Sequence, residues 1–138
     1  MRSKSRWIGI ASSFALAGNA HANNMALYCE FALLQQAHET LLHCEEQNDP
    51  ASEARYGKLV DEFMSFFAAN AAFKKQSDGD SVSEIRKRLL QGDRNRICRE
   101  PDYTYLRQKF YYAVSDLGMA EVSKLLSRPR DPSEGDCL

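Results

Sequence analysis

The sequence lacks the signatures of most catalytic chemistries. It has 138 residues, with three histidines, one tryptophan and four cysteines, and no two of the cysteines are spaced C-x-x-C. That absence removes thioredoxin-type redox chemistry and c-type haem attachment. No G-x-S-x-G is present, so the hydrolase nucleophile elbow is missing, and no glycine-rich loop is present to cradle a phosphate. Long apolar runs are absent after the first 22 residues, which argues against a polytopic membrane protein. The chain is too short for two ordinary domains.

The first 22 residues lack something else, namely acid. They hold Arg2, Lys4 and Arg6, an apolar run from Trp7 to Gly18, and then Ala20-His21-Ala22. A basic start, a short apolar stretch and an A-x-A site read as a secretory signal peptide cleaved after Ala22. A spanning helix needs roughly 20 apolar residues, and this run is shorter and interrupted by Ser12 and Ser13. A lipoprotein would need cysteine behind a small residue, whereas Cys29 follows Tyr28. The expected product is therefore periplasmic or secreted, with no transmembrane segment after signal removal. Losing the three leader cations takes the net charge from −1 for the whole chain to −4. In an oxidising compartment, four thiols suggest two disulfides.

What remains reads as helices without a convincing strand. Leu27, Phe31, Leu34, Leu41 and Cys44 share one helical face, which predicts a helix over 25–47. Asn48-Asp49-Pro50 stops it. Asp49 can then cap a second helix with Pro50 at its first position, running through Tyr56, Val60, Phe63 and Phe67 to Lys74-Lys75. The Phe-rich stretch Phe63, Phe66, Phe67 and Phe73 marks this helix as the central core element. A turn at Ser77-Asp78-Gly79-Asp80 precedes the capping box Ser81…Glu84 and a short third helix carrying Val82, Ile85 and Leu89. Gly92 to Pro101 reads as irregular. A fourth helix from Asp102 places Tyr103, Leu106, Phe110, Ala113, Val114 and Leu117 at 3–4 spacing, and Gly118 ends or bends it. Met119 to Ser127 forms a fifth. The expectation is an all-α, small antiparallel bundle over residues 23–127, with an irregular tail over 128–138.

Geometry narrows the disulfides. Cys29 and Cys44 lie in one expected helix, so roughly 22 Å separates them at the helical rise. A disulfide tolerates less than about 7 Å between Cα atoms, and that pairing is excluded. Two connectivities remain. In an up-down bundle, Cys44 and Cys98 fall at the same end, while the tail can bring Cys137 to Cys29. Cys44–Cys98 with Cys29–Cys137 is thus favoured over Cys29–Cys98 with Cys44–Cys137.

Few residues present themselves for chemistry. His38-Glu39-Thr40-Leu41-Leu42-His43 is one residue too long for H-E-x-x-H. At a spacing of five, the two imidazoles diverge by about 140° on the helical wheel and cannot share a metal. The stretch reads as a solvated polar face, and no metal, cofactor or catalytic residue is expected. The strongest asymmetry is Arg86, Lys87, Arg88, Arg94, Arg96 and Arg99 against Asp93 alone. Tyr105 and Tyr112 lie seven residues apart beside the apolar stripe of the fourth helix. Arginine and tyrosine are enriched at protein interfaces. Arg86, Arg94, Arg96, Arg99, Tyr105 and Tyr112 are accordingly the candidate partner-binding set. An exported chain has little use for nucleic acid, so the partner is expected to be a protein, and a homodimer fits the exposed aromatics. These features point to a non-enzymatic binding protein, of inhibitor or immunity type. A stress chaperone, or a small-ligand or lipid carrier using the Phe-rich core, are the alternatives.

Overall fold

The computed structural model describes residues 25–45, 49–70 and 80–137. The leader 1–22, Phe73, Lys74-Lys75 and the turn Ser77–Gly79 lie outside the described residues, as does the side chain of Ser81. The chain is all-α. Its helices are α1 Leu27–Glu45, α2 Pro50–Ala69, α3 Asp80–Gln91, α4 Arg94–Ile97, α5 Pro101–Ala113 and α6 Asp116–Leu125.

Capping chemistry sets the boundaries that periodicity alone leaves loose. Asp49 accepts a hydrogen bond from the Ser52 amide at 2.9 Å and opens α2, with Pro50 in its first turn. That helix stops at Ala69, short of the expected Lys75. The Asn70 side chain donates to the Phe66 carbonyl at 2.8 Å and its backbone N–H to Phe67, so the end of the helix is satisfied there. Asp93 accepts from the Asn95 amide at 3.0 Å and nucleates α4 inside the stretch expected to be irregular.

The boundary between the expected fourth and fifth helices falls earlier than Gly118, at Val114-Ser115. Ser115 takes an extended conformation, donates its hydroxyl to the Tyr112 carbonyl at 2.6 Å and accepts from the Gly118 amide at 3.1 Å. It thereby closes α5 and opens α6. Leu117, expected in the core, is left 61% exposed. Gly118 neither ends nor bends a helix. It sits in the first turn of α6, where a Cβ would collide with the backbone of Tyr112 and Ala113. Glycine is what lets the two helices meet at this corner.

The organising element is α1, where the sequence favoured α2. Between Leu27 and Thr40 its only charged residues are Glu30 and Glu39, so it can be surrounded. It packs against α5, α3 and α4. Its Phe31 ring meets Phe63 and Phe67 of α2 at 5.2 and 5.4 Å between centroids. Those contacts, with His38 against Glu53 toward the other end, make α1 and α2 antiparallel. Phe110 and Ala113 of α5 and Val122 of α6 complete the core.

Two disulfides close the bundle, with the favoured connectivity. Cys44–Cys98 joins the end of α1 to the segment before α5, with Cα atoms 5.5 Å apart. Cys29–Cys137 joins the start of α1 to the tail, at 5.7 Å. The tail has no helix, yet it is built into the body. The Ala26 amide donates to Asp136, Tyr28 to Pro132, and the Arg130 guanidinium to the Met25 carbonyl. Pro132 is almost fully buried. No described helix is long and apolar enough to cross a membrane.

Candidate functional site

The basic stretch becomes α3, α4 and the turn before α5, and its cations divide into two jobs. Two of them are tied back to α1, although both side chains stay exposed. Arg86 spans to α1 with a fork, donating from Nε and Nη2 to the two carboxylate oxygens of Glu39 at 2.8 and 3.0 Å. Arg94 donates to the carbonyls of His43 and Cys44 at 3.1 and 3.3 Å. It places positive charge on the open carbonyl end of α1, where the helix dipole favours it.

The others face water. Arg96 pairs with Glu100 one turn away at 2.8 Å but stays 78% exposed, and a pair that open contributes little to stability. Lys87, Arg88 and Arg99 are exposed. Leu90, on the same helix as Lys87 and Arg88, is 79% exposed, more so than Met64, Tyr105 or Leu117. The candidate tyrosines belong to other surroundings. The Tyr105 ring lies under the Lys109 ammonium at 5.3 Å, while Tyr112 hydrogen-bonds Glu121 of α6.

The His38-Glu39 stretch, read as a solvated face, is buried. Both side chains are at most a tenth exposed. His38 Nε2 lies 2.9 and 3.1 Å from the two oxygens of Glu53 in α2, and its ring stacks on Tyr56 at 3.8 Å. Burial and the charges of Glu39 and Glu53 push the Tyr56 hydroxyl well above its ordinary value, so it stays neutral. An imidazole between two carboxylates has the parts of a proton relay. Here, however, both Glu39 oxygens are taken by Arg86 and Glu53 is turned onto the ring, so the cluster is spent on joining α1, α2 and α3. Among the described residues no group of three His, Cys, Asp or Glu is arranged to hold a metal. All four cysteines are paired, leaving no thiol nucleophile.

A second buried acid lies at the start of α1. Glu30 is 4% exposed and its Oε2 has no hydrogen-bond partner among the described residues. Burial raises its carboxyl above the ordinary 4.5, against the opposing charges of Lys109 and Arg130. Burial likewise lowers the Lys109 ammonium, which Glu30 opposes. An acid whose pKa rises on folding keeps its proton in the native state at a pH where the unfolded chain has lost it. Its contribution is complete below the unfolded value and fades as pH rises through the folded one. Glu30→Gln therefore gains on wild type as pH climbs from the ordinary carboxylate value into the neutral range. Urea unfolding of both proteins across that range measures the gain, and a flat difference would contradict it.

Grooves flank this framework. One, of about 730 Å³, runs between α2 and α6 and is lined by Phe66, Ala69, Leu126 and Pro129, with Lys58 and Asp61 at its edge. Two smaller ones, of about 380 and 250 Å³, lie on either side of Arg88 along α1. Within the body, Phe31, Phe63, Phe66 and Phe67 stand 5.2–6.3 Å apart between centroids, in mutual contact. No protein-family model matches the chain, and neither does any curated protein or solved structure.

Proposed function

We propose that this protein is exported to the periplasm and acts by binding another protein, as an inhibitor or immunity-type module, without catalysis or cofactor. The observation that carries this reading is the outward basic face of α3 and α4. Lys87, Arg88, Arg96 and Arg99 are all exposed, as is Leu90 of α3, in a chain whose net charge is −4 beyond residue 22. Concentrated charge of one sign against an opposite background steers a partner of the other sign and fixes its orientation. Two disulfides hold the face rigid, which lowers the ordering cost of association. They also accord with an oxidising compartment.

The alternatives draw less support. A lipid or small-molecule carrier needs room among its rings, and the phenylalanines are packed against one another. A chaperone needs a broad apolar surface, whereas the exposed large apolar residues Met64, Leu90, Tyr105 and Leu117 lie on four different helices.

The test is retention from periplasmic extract on immobilised protein. The wild type holds an acidic partner that elutes with salt. The triple variant Lys87→Ala, Arg96→Ala, Arg99→Ala, with unchanged circular dichroism, retains at least about tenfold less, as expected for the loss of several charge-assisted contacts. Equal recovery by the two proteins would remove this face from consideration.

A further inference from the structure

We infer that the trough between α1 and α3 seats an acidic amphipathic helix of the partner, an inference that rests on the binding reading above. The floor of the trough is a stripe of α1. Cys29, Ala32, Leu33, Gln36 and Thr40 stand at i, i+3, i+4, i+7 and i+11, on one helical face, and line the two hollows. The hollows share Gln36, Ile85 and Arg88, so they form one channel with Arg88 over its middle. At the helical rise, Cys29 to Thr40 spans roughly 16 Å, about three turns of a docked helix. The Cys29–Cys137 staple bounds one end, and Tyr103 and Leu106 bound the other, where Glu100 and Asp102 add acid and keep the occupant's carboxylate beside Arg88 at the middle.

Three features select the occupant. First, a stripe on one helical face, apolar at Cys29, Ala32 and Leu33 and polar at Gln36 and Thr40, offers ridges that the side chains of another helix interlock with. Second, the channel is open along its length. A helix satisfies its own backbone and needs only one face covered, whereas an acyl chain or small ligand requires burial of most of its surface. Third, Arg88 has one hydrogen bond, from Nε to the Glu84 carbonyl at 3.4 Å, and no ion pair among the described residues. It sits over apolar floor with a guanidinium suited to a carboxylate in a two-point contact. Lys87 and Leu90 stand next to it on the same helix. The occupant is thus a helix with apolar residues on one face and Asp or Glu at the middle of that face's edge.

A displayed library of amphipathic helices tests this, with apolar residues fixed at i, i+3 and i+7 and the flanking positions randomised. Selection on the wild type enriches Asp or Glu at one edge position. Selection on Arg88→Glu enriches Lys or Arg at that position instead. A selected acidic helix, made as a fluorescent peptide, binds Arg88→Ala at least about tenfold more weakly. It also loses binding to Ala32→Trp, which fills the floor without changing charge. Arg88 is exposed and Ala32 half-buried, and unchanged circular dichroism and melting confirm the fold of both variants. Absence of acidic enrichment, or the same enrichment on Arg88→Glu, overturns the inference. So does thermal stabilisation by oleate that Ala32→Trp abolishes, which would make the channel an acyl-chain site. Protein that loses its extract partner in the Lys87/Arg96/Arg99 variant while selecting no helix would retain the basic face and lose the channel.

Discussion

Replacing Cys44 and Cys98 by alanine lowers the unfolding free energy by about 4 kcal/mol. The bond closes a loop of 54 residues, and the chain-entropy relation assigns about that much to a loop of this length. Native stabilities of small domains run about 5–15 kcal/mol, so the variant is expected to lie close to its midpoint at body temperature. Urea unfolding of oxidised wild type and variant measures the effect, and a loss below about 1 kcal/mol would refute it. The companion variant lacking Cys29 and Cys137 is expected to lose less, although its loop of 108 residues is longer. Once that bond is gone the tail also gains freedom in the folded state, because it is held by a few backbone bonds and Pro132. Part of the entropy the unfolded chain regains is therefore matched in the native one.

Phe110→Ala is expected to cost about 3–5 kcal/mol with both disulfides intact. Phe110 has no exposed surface, and three rings meet it: His38 at 5.6 Å, Tyr56 at 5.8 Å and Tyr111 at 5.4 Å between centroids. His38 is bound to Glu53, and Glu39 next to it is bound to Arg86. Neighbours committed to hydrogen bonds cannot collapse into the void, so the cavity persists. The control is Leu117→Ala, a residue of similar sequence character left largely in water, where the change should stay within about 0.5 kcal/mol. Similar losses at the two positions would mean that Phe110 is not the centre described.

The parts of the architecture that the sequence displayed were those decided by short-range physics. The Asp49-Pro50 start of α2 is a local signal. The exclusion of Cys29–Cys44 needed only the rise of a helix. Where periodicity and capping disagreed, periodicity misled. Tyr103 to Leu117 keeps a 3–4 rhythm through Ser115, yet one hydroxyl bonded to Tyr112 and Gly118 divides the stretch in two. The same holds for α2, where Asn70 ends the helix under a continuing apolar pattern. Helix α4 is a single turn, too brief for any period to register.

The candidate site was legible only in part. The surplus of arginine between Arg86 and Arg99 was plain, but which members look outward was not. Arg86 is claimed by Glu39, 47 residues away in sequence, and Arg94 by carbonyls 50 and 51 residues away. Nothing local distinguishes them from Arg88 or Arg99. By the same logic, a histidine and a glutamate that look solvated on a helical wheel are buried once a third helix arrives with a matching guanidinium. Charge on one element is assigned its environment by another, and the distance between them hides the pairing.

The nested order of the bridges bears on biosynthesis. Under the export proposed above, a chain threaded out from its amino end presents Cys29 and then Cys44 to the oxidant before either native mate has arrived. An enzyme that joins thiols in order of appearance would couple those two and forbid α1 from straightening. Maturation thus calls for early winding of that helix, or for an isomerase able to undo the first mistake by thiolate attack. The last crosslink waits for Cys137.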